Sequence, residues 1–148
     1  MSVSVRELKE QDQSRWYELW SGYCQFYQVQ VPGEVTEETW KRVLNPDRDD
    51  MYCLVAESNG NIIGFVICVI HPGTWTSKDL TYLEDLYVSE TARGQGAGRA
   101  LIDAVYAKAK RLNHHRVYWR THTDNTVARA LYEKVADDSD WVMYEHIL

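Results

Sequence analysis

Residues 93 to 99 read Arg93-Gly94-Gln95-Gly96-Ala97-Gly98-Arg99, three glycines within five positions. Glycines leave backbone N–H groups unshielded by side chains. An apolar helical pattern follows at once through Leu101, Ala104 and Val105. The loop therefore opens a helix whose own free N–H groups and positive dipole end add to an anion seat. Phosphate oxygens are the ligand such a seat suits. A dinucleotide fingerprint would require a small residue where Arg99 or Leu101 stands, and a Walker loop would require Gly-Lys-Ser/Thr, so neither explains the pattern.

Two further sets of residues carry chemistry. Leu83-Glu84-Asp85-Leu86-Tyr87-Val88 reads as a strand entering the loop, and alternation places Tyr82 and Glu84 on one face with Asp85 on the other. Glu84 is the candidate base, because an alkylamine is protonated near neutral pH and attacks only after losing a proton. Downstream, a helix over Asn125 to Val135 brings Asn125 and Tyr132 within about 20° of each other at 100° per residue. Val127, Leu131 and Val135 form its expected buried stripe.

The Arg-x-x-Gly-x-Gly pattern resembles the acetyl-coenzyme A pyrophosphate loop of the GNAT N-acetyltransferase superfamily, and the likeness extends over residues 3–135. Tyr82-Leu83-Glu84-Asp85 looks like the spermidine/spermine N-acetyltransferases. Phe26-Tyr27-Gln28-Val29, Val117-Tyr118-Trp119 and Leu131-Tyr132-Glu133-Lys134-Val135 look like the histone-and-polyamine branch. The resemblance implies that backbone groups of Leu86, Tyr87 and Val88 hold the pantetheine arm, one N–H polarising the thioester carbonyl. It implies that Arg93, Gly94, Gln95, Gly96, Ala97, Gly98 and Arg99 bind the cofactor phosphates and that Asn125 contacts the cofactor. Tyr132 would protonate the departing thiolate, and Glu84 matches a glutamate of polyamine acetyltransferases. The resemblance also implies a homodimer. One departure stands out: the usual Gly-aromatic pair is replaced by Val135-Ala136-Asp137-Asp138.

Composition frames these readings. The 148 residues suit a single α+β domain over residues 1–148, 45% hydrophobic and 26% charged. No apolar run approaches the ~20 residues of a membrane span, and the N-terminus lacks a basic region followed by an apolar core. Three cysteines inside apolar segments read as reduced thiols, so the expected compartment is the cytoplasm. Net charge is −6 and the pI about 5.3, which disfavours nucleic acid. Residues 1–60 hold six Lys/Arg against eleven Asp/Glu, whereas residues 93–120 hold seven Lys/Arg against Asp103. A basic segment at the loop suits a polyphosphate, and the acidic remainder suits a cationic acceptor such as a polyamine. A protein lysine, an amino acid, an aminoglycoside and a non-catalytic sensor role are the alternatives. The five histidines have no zinc-site spacing, so no metal is expected.

The elements needed to position these groups follow from patterning. A first strand spans Val3 to Leu8. Asp12 caps a helix with Trp16, Leu19, Trp20, Tyr23 and Tyr27 on one face, and Thr36 caps a second helix through Leu44. Tyr52–Glu57 and Ile62–Ile70 flank Asn59-Gly60, a hairpin signal. A strand over Leu80 to Val88 enters the loop, and the next helix buries Leu101, Ala104, Val105 and Leu112. Arg116–Thr121 is a strand, and Trp141–Ile147 a closing one. The order β-α-α-β-β-β-α-β-α-β predicts a mixed sheet covered by helices on both faces.

Overall fold

The structure is a computed structural model that describes residues 2–148. Five strands, β1 (Ser4–Glu7), β2 (Met51–Ser58), β3 (Asn61–Pro72), β4 (Asp79–Val88) and β5 (Val117–Tyr118), lie side by side in chain order. The first four pair antiparallel, and β5 pairs parallel to β4 through Thr81↔Val117 and Tyr82↔Tyr118. Asn59 and Gly60 turn β2 into β3 with φ of 52° and 77°, the left-handed pair that matches strand twist in a two-residue hairpin. Helices α1 (Gln13–Phe26) and α2 (Gly33–Leu44) precede β2, α3 (Ala97–Arg111) joins β4 to β5, and α4 (Thr126–Val135) follows β5.

The sheet is mixed and covered on both faces, as the patterning predicts. On one face Trp16, Leu19, Trp20 and Trp40 pack against Val55, Phe65 and Ile67. On the other, Leu101, Ile102 and Val105 pack against Leu54, Val66 and Leu83, with Leu131, Tyr132 and Val135 of α4 beside them. Half of the six tryptophans lie on α1 and α2, where Trp16 and Trp20 stack with centroids 5.3 Å apart.

Several local expectations are corrected. Asp12 does not cap α1; its carboxylate is taken by Arg6 and by the Lys9 N–H. Helix α2 starts at Gly33, with Pro32 before it, and Thr36 lies inside it accepting from the Trp20 indole N–H at 3.0 Å. Leu112 ends α3 half exposed, and Val127 is 83% exposed, so α4 packs through Leu131, Tyr132 and Val135 instead. The expected strand Trp141–Ile147 is an extended, unpaired segment with Trp141, Tyr144 and Ile147 exposed. The run Asp137-Asp138-Ser139-Asp140 is highly polar, and β5 offers only two residues of edge to pair with. Among the described residues no helix is long and apolar enough to cross a membrane.

Candidate active site

The glycine loop has the geometry its composition implies. Gly94 and Gly96 sit at φ of +85° and +82°, and a Cβ built on either meets nothing within 4 Å, so the space above them is open. Helix α3 has no side-chain cap. Its first intrahelical bond, Ala100 N–H to Gly96 O at 3.0 Å, leaves the Ala97, Gly98 and Arg99 N–H groups preceding it. A groove of about 190 Å³ lies over this stretch, bounded by Val88, Arg93, the three glycines, Arg99 and Leu131. An uncapped helix start with two left-handed glycines fits a pyrophosphate. The Arg93 guanidinium turns back over the Phe26 ring, 5.4 Å from its centroid, and toward Tyr87 at 5.9 Å. Arg99 pairs with Asp103 at 3.5 Å. Gln95 is an exposed loop residue.

Strand β4 brings the other groups to this loop. Pairing with β5 ends at Tyr82, so the edge from Leu83 to Val88 has no strand beside it among the described residues. Leu86, Tyr87 and Val88 therefore present edge backbone groups as β4 approaches the loop. The pairing with β3 slips at the same level: Leu83 faces Cys68, Asp85 faces Ile67, and Glu84 is the extra residue of a β-bulge. The bulge resets the alternation and corrects the expected facing of Asp85. Its side chain points to α1, where the Tyr23 hydroxyl donates to Oδ1 at 2.5 Å. Burial pushes the Asp85 carboxyl up to about 6, the Tyr23 bond opposes this, and the Glu84 charge adds to it. Burial and then Asp85 drive the Tyr23 hydroxyl well above its ordinary value. Glu84 itself is exposed.

Tyr132 stands on α4 against Trp119, with ring centroids 5.3 Å apart and near-perpendicular planes. Burial, with a smaller contribution from Tyr27, pushes its hydroxyl up to about 12. Asn125 stands about two turns before Tyr132, at the start of α4. It is the residue before α4 and donates from Nδ2 to Thr121 Oγ1 at 3.0 Å. Thr121 in turn hydrogen-bonds Tyr27, whose ring lies 6.0 Å from His122. The chain beyond β5 thus ties α1 to α4 across the open edge of β4. A cavity of about 590 Å³ extends from here, between Val117–Thr121, Tyr132 and the extended segment at Trp141 and Met143.

Sequence reasoning missed three polar members of this region. Tyr23 was absorbed into an aromatic helix face, Asp85 was placed on the wrong face, and Arg120 was counted only as charge. Arg120 donates from Nη1 to Met143 Sδ and lies 3.4 Å from Glu145, and its charge acts on the Tyr82 hydroxyl. The buried thiols of Cys53 and Cys68 are pushed up by desolvation and are poor nucleophiles there.

The model of the acetyltransferase (GNAT) family matches residues 13–136. The chain is 35% identical to D-amino-acid N-acetyltransferase HPA3 of Saccharomyces cerevisiae over 144 residues, 97% of this chain and 89% of that protein. Among solved structures it is similar to a ribosomal-protein-alanine N-acetyltransferase from Brucella melitensis biovar Abortus 2308, with a TM-score of 0.83, 26% identity and full coverage of both chains. The aminoglycoside acetyltransferase AAC(6')-Iy, bound to a coenzyme A bisubstrate analogue, shares the fold at a TM-score of 0.85 and 17% identity, covering 100% of this chain and 99% of that one. The fold and the loop define a coenzyme A-dependent acyltransferase. The chain belongs to the GNAT acetyltransferase family.

Proposed function

We propose that the protein transfers the acetyl group of acetyl-coenzyme A to a primary amine of a small molecule, by direct attack in a ternary complex. The observation that carries this reading is the open edge of β4, which runs from the Glu84 bulge into an uncapped helix start. When bound, acetyl-coenzyme A supplies a thioester carbonyl. An N–H of the Leu86–Val88 edge polarises that carbonyl as charge develops on its oxygen. Glu84, directly or through water, takes the proton that frees the amine lone pair. The amine nitrogen then bonds to the carbonyl carbon as the carbon–sulfur bond breaks. The Tyr132 hydroxyl, which burial keeps protonated, gives its proton to the leaving sulfur and regains one as the acylated nitrogen sheds its second proton.

Glu84 and Asp85 make this corner hospitable to an ammonium group. That favours a cationic acceptor, whether the polyamine expected from the sequence or an amino acid of the kind named for the yeast relative. The decisive test is Tyr132→Phe, which should lower kcat by ~10²–10⁴-fold. Calorimetry should find its coenzyme A affinity intact. Near-native turnover would remove Tyr132 from this role.

A homodimer belongs to the same reading. The two-residue β5 leaves a sheet edge open, and Trp141, Tyr144 and Ile147 are exposed beside it. Light scattering at micromolar concentration should give twice the 17.3 kDa chain mass. A monomer mass with and without coenzyme A would contradict it.

A further inference from the structure

We propose that Arg120 selects acceptors that carry a carboxylate next to their amine, which makes α-amino acids the substrate class of this site; this rests on the acyl-transfer reading above. Val117 packs with the α3 cluster, so its neighbour Tyr118 in β5 takes the opposite face, and Arg120 follows two residues after the strand ends. That is the face on which Asp85 meets α1. One ring contact and two electrostatic effects agree with this placement. The Tyr118 ring lies 4.9 Å from that of Tyr82, and the charges of both Arg120 and Glu84 act on the Tyr82 hydroxyl.

Tyr82 therefore stands between a carboxylate on β4 and a guanidinium following β5. A free α-amino acid presents the mirror of that arrangement, with ammonium and carboxylate on one carbon. Its ammonium fits the Glu84–Asp85 corner, and its carboxylate fits Arg120, whose planar fork matches carboxylate geometry. A polyamine would instead carry a second cation toward Arg120 and toward Arg116, which already lies over the Tyr118 ring at 5.3 Å.

The molecule itself shows that Arg120 takes a carboxylate here. Glu145 Oε2, from the extended segment after α4, lies 3.4 Å from Nη1. Both partners are more than half exposed, so the pair is weak and a substrate carboxylate can displace it. The name carried by the yeast relative, a D-amino-acid N-acetyltransferase, agrees in chemical class.

The test compares three acceptors that differ only at the carboxyl group: phenylalanine of either configuration, phenylalaninamide and phenethylamine. With the parent chain, one configuration of phenylalanine should be the best acceptor. Arg120→Gln should raise its KM by about 10–100-fold, the worth of a charged hydrogen bond. The same change should leave phenethylamine within about twofold, and Arg120→Lys should recover part of the loss. Comparing variant with parent cancels the basicity of each amine. Equal losses on phenylalanine and phenethylamine, or no loss on either, would overturn the proposal. Should no amine be turned over, the acyl-transfer reading fails separately. Calorimetric titration of phenylalanine into the coenzyme A-loaded protein then decides: binding weakened by Arg120→Gln upholds the subsite, and absent or unchanged binding rejects it.

Discussion

Helix α1 is held to the sheet by a carboxylate near each end, and the two attachments are opposite in kind. Near its start, Asp12 accepts from Arg6 Nη1 and Nη2 at 2.9 and 3.0 Å and from the Lys9 N–H at 2.8 Å. The guanidinium holds its carboxyl below the ordinary range. Near the other end, Asp85 receives the neutral Tyr23 hydroxyl at 2.5 Å, and burial pushes it up to about 6. The first charge is compensated within the fold. The second is held among Tyr23, Tyr27, Cys24 and Glu84, none of which brings a positive charge. A carboxylate kept under that strain is suited to welcoming an ammonium from outside.

The sharpest way to break the comparison is to remove the compensated member. Asp12→Ala leaves Arg6 with the Glu57 carboxylate at 3.3 Å and the Glu7 carbonyl at 3.0 Å, and strips the Lys9 N–H of its acceptor. We expect a loss of about 3 kcal/mol near pH 7, within the range for breaking a largely buried pair. Because the folded carboxyl lies below its unfolded value of 3.8, this contribution is present above that pH. It is lost as the pH falls through the folded value. Urea unfolding at pH 7 and pH 3 checks it, and an equal cost at both pH values would count against the pairing.

Asp85→Asn should act in the opposite sense. The folded chain holds the Asp85 proton up to about pH 6, and the unfolded chain only to 3.8. The fold therefore loses stability as the pH rises across that window. The neutral variant escapes the loss, with a gain of about 2 kcal/mol at pH 8 and almost none at pH 4. Its KM for an ammonium acceptor should rise at the same time. A variant destabilised at pH 8 would show that Asp85 serves structure as Asp12 does.

The contrast between the two carboxylates also marks how far the sequence could be read. Gly94, Gly96 and the start of α3 are local features, governed by residues within one turn of each other, and they stand where the motif puts them. The hairpin at Asn59-Gly60 and both apolar faces are legible for the same reason. The facing of Asp85 is not, because a bulge is a property of the register between β3 and β4, and neither strand records it alone. Asp12 was placed at the right helix end with the wrong partner, since Arg6 reaches it from the preceding strand. Arg120 became visible only when pairing set Tyr118 beside Tyr82. The exposed segment after α4 illustrates the opposite error. Its apolar run from Trp141 to Tyr144 is strand-like, yet a strand needs an edge to pair with, and β5 supplies two residues.

The smallest expected effect separates the neighbours at the bulge. Glu84 is exposed, so Glu84→Gln should change stability by less than about 0.5 kcal/mol. Its influence on Asp85 is more telling. Glu84 is the third contributor to the raised carboxyl, after burial and the opposing Tyr23 bond. Removing that charge should lower the Asp85 titration and move the acidic limb of the pH–rate profile to lower pH, by less than about one pH unit. Carbon-detected NMR of the Asp85 carboxyl, followed beside the pH–rate profile, distinguishes the cases. A limb that moves with the Asp85 resonance makes the two residues one unit in proton handling. If the resonance shifts and the limb stays, the limb belongs to neither carboxyl, and Glu84 is not the group that takes the amine proton.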